Sequence, residues 1–563
     1  MPEYADPQPD RPVRTAADAY VSALADIDPF LTTKLGLKPD EDGIPDLSPA
    51  GQQAIDDLTS CALASIPEPA PGDGDERRCA RLMRERLEAE LAVSEAGEHL
   101  REVSNIFGRV PEIRGVLTMM PAVTADDWAV IARRMRRIPL ALEQYRESQA
   151  EGQRRGLNAA PRQVRTVIGQ LDEWSAVRDG QGWFADFAAR ADVPPALRAD
   201  LDEAAAGAGE AFGALRDWFA TQYLPGCAGT PDGHGTERYV RGARLWNGTM
   251  LDPREVYEWG LSQYREIRDE MKAEANRVLP GAAPPEAMRY LDEHSPAVEG
   301  VEEAREWLQG LMDETISDLD GTHFDLAAPL RKVEARIAPP GSAAAPYYTP
   351  PTQDFSRPGR TWLPTLGRTR FPQWNLYTVW YHEGVPGHHL QLAQWVYLAR
   401  QLSTYQTSIG AVSASLEGWA LYAERLMDEL GYLKAPGARL GQLDAQMLRA
   451  MRVVVDIGMH LSLTIPSDLP VGAGQPWTAE LAMAFFGQHS SMNATFIESE
   501  IIRYLSRPGQ AISYKLGERA WLAGRDAARA AHGASFDLKA WHMAALSLGS
   551  LGLDDLTEEL GNL

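Results

Sequence analysis

The segment YHEGVPGHHLQ, residues 381–391, gathers three of the chain's eleven histidines and one glutamate around a Pro-Gly pair. Imidazoles and a carboxylate held together can bind a divalent metal, and a neighbouring carboxylate can then move a proton. In the pattern HExxH, two histidines one helical turn apart reach a single zinc ion and the glutamate between them activates water. The spacing here differs. On an ideal helix His382 and His388 point about 120° apart, and His382 and His389 lie about 10.5 Å apart along the axis. Neither pair chelates on an unbroken helix. Gly384, Pro386 and Gly387 interrupt it, so a bulge or bend is expected to return a second histidine to His382. The reading is an expanded HExxH; the alternative is a loop of surface or hydrogen-bonded core histidines.

A metal site needs a third protein ligand, and SLEGWALYAERLMDEL offers Glu417, 34 residues after His382 on an amphipathic helix. Glu424, two turns further on, is expected to be too distant to be a co-ligand. In LDAQMLRAMRVVVDIGMH, Arg449, Arg452, Asp456 and His460 recur every three or four residues and form one polar stripe on an otherwise apolar helix. Such a stripe suits a polar cavity or, equally, a salt-bridged outer face. IIRYLSRPGQAISYKLG breaks at Pro508-Gly509 and supplies Arg503, Gln510, Tyr514 and Lys515. Beside a metal, a tyrosine can donate to an oxyanion, and an arginine or lysine can hold a substrate carboxylate.

The elements that must position these groups are mostly helical. ADAYVSALADI, RCARLMRERLEAELAVSEAGEHLREV and DDWAVIARRMRRIPLALEQYRESQ have the 3.6-residue apolar period, and two further helices are expected near 253–278 and 299–318. Pro and Gly cluster at 67–75, 224–235, 279–285 and 338–346. The second break divides the chain into an expected helical N-terminal region, 1–225, and a metal-binding catalytic region, 226–563. LRKVEARIAP and APYYTPP suit a short sheet with an edge strand. The fold class is therefore mainly α, with a small β-sheet near the site.

Bulk properties exclude several classes. The 563 residues carry a net charge of -24, which opposes binding to a polyanion, so no nucleic acid is expected. No run of 18 apolar residues or secretory leader is evident, so a cytoplasmic protein without a membrane span is expected. Cys61, Cys79 and Cys227 are widely spaced and support neither a disulfide framework nor a thiolate metal site. GxSxG, Walker A and GxGxxG patterns are missing, which sets aside serine hydrolase, NTPase and dinucleotide-binding readings.

YHEGVPGHHLQ, LEGWALYAERLMDELGY, RVVVDIGMH, IIRYLSRPGQAISYKLG and FDLKAWHMAALSLGSLGLDDL, in that order, resemble the bacterial family catalogued as domain of unknown function 885. APYYTPPTQDFSRPGRTW fits as well, and the match is specific over 340–555. The resemblance implies a mainly helical, zincin-like fold of the gluzincin or carboxypeptidase Taq kind. It implies one zinc ion on His382, His388 and Glu417, with Glu383 as the base; the residues alone leave His388 and His389 both open, and the family pattern HExxPGH favours His388.

On that basis the expected activity is a zinc metallopeptidase, a carboxypeptidase or dipeptidase acting on short peptides. Glu383 takes a proton from water and returns it to the leaving amine. Tyr514, His460 or Tyr348 stabilises the oxyanion, and Arg452, Arg503 or Lys515 anchors a substrate carboxylate, with His389 and Gln510 also among the expected substrate contacts. Two other readings stand beside it: an amidohydrolase acting on a small non-peptide amide, and a non-catalytic helical binding protein.

Overall fold

The computed structural model describes residues 11–69, 72–175, 182–339, 345–489 and 493–563. The first ten residues and the centres of the breaks at 67–75 and 338–346 lie outside them. Helices hold 67% of the chain and strands 4%, so helix packing, not a sheet, builds the interior. The helices expected near 253–278 and 299–318 run Pro253–Val278 and Val301–Leu319. The periodic stretch from Asp126 divides into Ala125–Met135 and Ile138–Arg154 because Pro139, whose fixed φ suits a first turn, starts a new helix.

Two apolar cores form. The smaller is built from residues between Val103 and Cys227, joined by Phe30 and Leu47. The larger takes in most of the chain after Tyr239, but also Val13, Tyr20, Met83 and Leu87 from the N-terminal helices Pro12–Ile27 and Gly74–Glu95. The expected boundary near 225 thus closes the smaller core at its C-terminal side, while the N-terminal helices pack with residues 226–563.

Five short strands lie before the motif: β1 (Ala297–Glu299), β2 (Val333–Ile337), β3 (Tyr347–Thr349), β4 (Gly359–Leu363) and β5 (Arg370–Pro372). β1 and β5 pair antiparallel. β4 is the centre of the other sheet, parallel to β2 and antiparallel to β3, with Tyr348 opposite Thr361. The edge strand expected from APYYTPP is β3.

Six helices surround the motif. Two are its own, Leu376–Glu383 and His388–Tyr397; the others are Ser413–Glu429, Ala438–Leu461, Ala494–Ser506 and Ser513–His532. The helices carrying Glu417 and Tyr514 cross at Gly418 and Gly517, where a Cβ on Gly418 would stand 2.4 Å from Gly517 Cα. Both atoms belong to backbone that cannot rotate away. Gly418→Ala is therefore expected to cost about 3 kcal/mol, read as a lower urea midpoint, with Gly310→Ala, where an added Cβ meets nothing within 4 Å, as the near-neutral control.

Candidate metal centre

The helix that starts at Leu376 stops at Gly384, and the next begins at His388. Between them the chain folds back on itself. Gly387 N–H donates to Tyr381 O at 2.9 Å, and His389 N–H to Gly384 O at 3.0 Å. A Cβ on Gly387 would lie 1.9 Å from His382 O and 2.4 Å from Tyr381 O, so only glycine permits this approach. Trp419, fully buried on the Glu417 helix, donates its indole N–H to Pro386 O and Gly387 O, each at 3.0 Å. The bend is thereby fixed to the helix that carries Glu417.

The fold-back sets the His382 and His388 rings 4.9 Å apart and nearly perpendicular. Their Nε2 atoms lie 3.4 Å and 3.7 Å from Glu417 Oε2. Donor atoms of His382, Glu383 and His388 also fall within 4.8 Å of one another. Donors bound 2.0–2.1 Å from a tetrahedral ion stand about 3.4 Å apart. Glu417 Oε2, the atom that both Nε2 nitrogens face, is buried without a hydrogen-bond partner, an arrangement that is costly unless a ligand completes it. Two imidazoles and one carboxylate in this spacing fit zinc.

The His382 ring is set by a second contact. His382 Nδ1 lies 2.7 Å from Glu424 Oε1, and Glu424 Oε2 accepts from Thr378 Oγ1 at 3.0 Å. Arg449 approaches the same carboxylate at 3.7 Å. Glu424, expected only to be too distant to be a co-ligand, is the group that orients His382 from its far side. Burial resists protonation of His382, yet Glu417 and Glu424 outweigh it and lift the ring to about 9. Burial, opposed by Glu417 and reinforced by His382, takes His388 down to about 4. Glu417 is held at about 2, its desolvation overcome by the two histidines. Burial pushes Glu383 up to about 7, Glu417 adding to the rise while His382 and Arg449 oppose it.

The structure brings Tyr514 to this group and leaves several other sequence candidates out of it. Tyr514 is half-buried, with the Arg452 guanidinium 4.6 Å over its ring, and burial together with the nearby Glu417 raises it to about 12. His389 turns away: its Nε2 meets Leu330 O at 2.8 Å and its Nδ1 meets Tyr348 Oη at 2.9 Å. Both nitrogens and the tyrosine hydroxyl are spent, so neither His389 nor Tyr348 has the free atom that substrate binding needs. Gly359 leaves the space for that pair, since a Cβ there would overlap Tyr348 Oη.

Arg452 and Arg503 converge on one buried carboxylate, Glu500, at 2.7 Å and 2.8 Å, and Tyr504 donates to it at 2.6 Å. Gln510 is turned inward to accept from Arg503, and Lys515, 1% exposed, is taken by Glu518 and Gln446. Lys515 and Gln510 are thus internal structure, not substrate contacts. His460 is also corrected. It lies eleven residues beyond Arg449, about 16 Å along their helix, where it packs on His234 at 4.5 Å and meets Tyr504 O at 3.1 Å. Thr378 is not singled out from sequence, Arg449 is named there only as part of the polar stripe, and Glu424 only as too distant to be a co-ligand.

Near His460, burial raises Asp456 to about 7, although Tyr239 Oη and Gly509 N–H donate to it at 2.8 Å and 3.0 Å. The folded chain therefore holds this proton more tightly than the unfolded one, where the group titrates near 3.8. Its contribution to stability is complete below about pH 4 and is lost as the pH rises towards 7. Urea unfolding at pH 5 and pH 8 is expected to show a smaller loss between the two for Asp456→Asn than for the parent chain. At the metal centre, Glu424→Ala is expected to weaken zinc binding about 10- to 100-fold while Glu424→Gln retains more of it, as measured by competition with a chromogenic chelator; equal affinity in Glu424→Ala and the parent would remove the orienting role.

Among curated proteins none matches this chain. Two solved structures share its fold over nearly their whole length. One is a "putative lipoprotein" from Colwellia psychrerythraea, with TM-score 0.82 and 22% identity over 98% of each chain. The other is a "putative lipoprotein of unknown function" from Shewanella oneidensis, with TM-score 0.73 and 17% identity over 97% of this chain and 99% of that one. No described helix here is long and apolar enough to cross a membrane. The model of the family described as bacterial protein of unknown function (DUF885) matches residues 29–560, and the chain belongs to that family.

Proposed function

We propose that this protein is a zinc-dependent metallohydrolase of zincin type, similar to the carboxypeptidase Taq group, that cleaves peptide or amide bonds as a carboxypeptidase or dipeptidase on short peptides. The observation that carries the reading is the convergence of His382 Nε2 and His388 Nε2 on Glu417 Oε2, itself buried without a hydrogen-bond partner, beside the Glu383 carboxylate. A zinc ion held by those three residues would supply Lewis acidity towards a substrate carbonyl and lower the pKa of water in its open position.

The chain's own groups supply the rest. Glu383 has no hydrogen-bond donor recorded among the described residues, and a carboxyl near 7 is matched to taking a proton from water and returning it to a leaving amine at neutral pH. Tyr514 stays protonated at neutrality and is free to donate to the developing oxyanion. Behind it, two guanidiniums share one carboxylate, leaving one positive charge in excess. That excess favours a substrate carrying a free C-terminal carboxylate, with Arg452, against the Tyr514 ring, as the nearer anchor. Cytoplasmic placement remains part of the proposal, and cell fractionation decides between it and the lipoprotein location that the names of the two similar structures carry.

Glu383→Gln is expected to bind zinc at the parent stoichiometry, by elemental analysis, and to lower kcat on a dipeptide panel by about 10²- to 10⁴-fold. Amidation of the peptide C-terminus is expected to raise KM in the parent chain. Undiminished turnover in Glu383→Gln, or protein purified without chelator that holds no zinc, would overturn the assignment.

A further inference from the structure

A second cavity, of about 290 Å³, lies where the N-terminal helices, the smaller core and the helix Gly235–Asn247 meet. It is separate from the residues at the metal centre. Its charges are segregated. Asp56 and Glu90 sit together at one end, both close enough to act on Tyr20. Neither has an ion-pair partner among the described residues: Asp56 accepts only from neutral donors, Gln52 Nε2 at 2.9 Å and Ser94 Oγ at 2.5 Å. At the other end Arg101 and Arg238 both point at Glu98, at 2.8 Å and 2.7 Å, with Arg241 at 3.5 Å. Three guanidiniums thus share Glu98, and only Arg241 has another acid, the exposed Glu237.

Between the poles is an unanswered hydrogen bond. Gln163 lines the cavity and is 4% exposed; its Nε2 donates to Ile502 O at 2.8 Å, but its Oε1 has no partner. A buried acceptor of this kind calls for an N–H donor from whatever fills the space. Leu91, Leu245 and Trp246 make the intervening wall apolar. Glu90 lies five residues before the end of its helix at Glu95, about 7 Å along the axis from the turn that carries Glu98 and Arg101. Two extended residues span about 7 Å.

We infer that this cavity is a binding site for a zwitterionic dipeptide with apolar side chains: its ammonium group at Glu90 and Asp56, its carboxylate at Arg101 and Arg238, and its peptide N–H on Gln163 Oε1. The volume sits at the small end of ligand pockets, as a dipeptide requires. The site stands whether or not the metal centre is catalytic, because it shares no residue with it. Its burial between the two cores gives the ligand contacts on both, so occupancy also stabilises their junction.

The test is calorimetric titration of leucyl-leucine into the full-length His388→Ala chain, which removes the metal centre as a competing site. Saturable binding of one dipeptide is expected. N-acetylation or C-terminal amidation of the peptide, and separately Glu90→Gln or Gln163→Leu in the protein, should each weaken it at least tenfold. Failure of the folded His388→Ala chain to bind leucyl-leucine at millimolar concentration overturns the proposal, as does equal affinity for the capped and free peptides. If Glu90→Gln does not fold, Gln163→Leu and the capped peptides decide. Binding seen in the parent but lost in His388→Ala places the dipeptide at the metal centre and overturns the second site without touching the hydrolase reading.

Discussion

The close approach of Gly387 to the carbonyls of Tyr381 and His382 is the constraint on which the metal centre depends. Two imidazoles six residues apart diverge on any regular helix, and no side-chain rotation repairs a divergence of about 120°. The backbone has to reverse, and a reversal this tight brings peptide groups closer than any Cβ allows. Trp419 then ties both carbonyls of the Pro386-Gly387 turn to the helix that holds Glu417. The same residue that closes the bend also sets its distance from the third ligand, while Gly418 and Gly517 let that helix lie directly on the Tyr514 helix.

Electrostatics make the arrangement demand a cation. Glu383, Glu417 and Glu424 crowd into a space served by one guanidinium, Arg449. Carboxylates in a poorly solvated site must be neutralised or take up protons. Without a metal the burden falls on His382, lifted to about 9 between Glu417 and Glu424, and on Glu383, driven to about 7. A divalent ion on the Nε2 side of His382 would replace that proton and leave the Glu424 contact at Nδ1 intact, which is the way a carboxylate beyond the ligand set holds a metal-bound histidine in register.

Residue types and spacing were enough to single out His382, Glu383 and Glu417 as candidates and to place the break, but they left His388 and His389 both open, and the family resemblance favoured His388. The path through the break was not legible, because a contact between residue 387 and residues 381 and 382 follows no regular hydrogen-bond pattern. Glu424 was set aside on its distance from Glu417, yet i,i+7 on one helix face is the spacing that lets two carboxylates flank the two nitrogens of one imidazole. Lys515 and Glu518 stand at i,i+3, a sequence signal for the internal pair that they form. His389 could not be placed without the sheet, since its partners come from Tyr348 and Leu330, 41 and 59 residues away. The polar stripe on Ala438–Leu461 suited a polar cavity and a salt-bridged outer face equally from sequence; its groups are in fact turned inward, and a helix of that length serves two regions: Arg449 and Arg452 lie beside the candidate metal centre, and Asp456 and His460 at the junction with His234 and Tyr239.

The buried cluster of Arg452, Arg503, Glu500 and Tyr504 is not explained by stability. Taking ions out of water costs several kcal/mol apiece, and a well-packed apolar set of equal volume is often as stable or more so. A balanced pair would at least recover that cost through its own attraction. Here two guanidiniums face one carboxylate, each 6–7% exposed, and Arg452 also stacks on the ring of Tyr514. On the proposed reading this imbalance has a use: the attraction that Glu500 leaves unspent would be available to an anionic group of a substrate held near His382, His388 and Glu417.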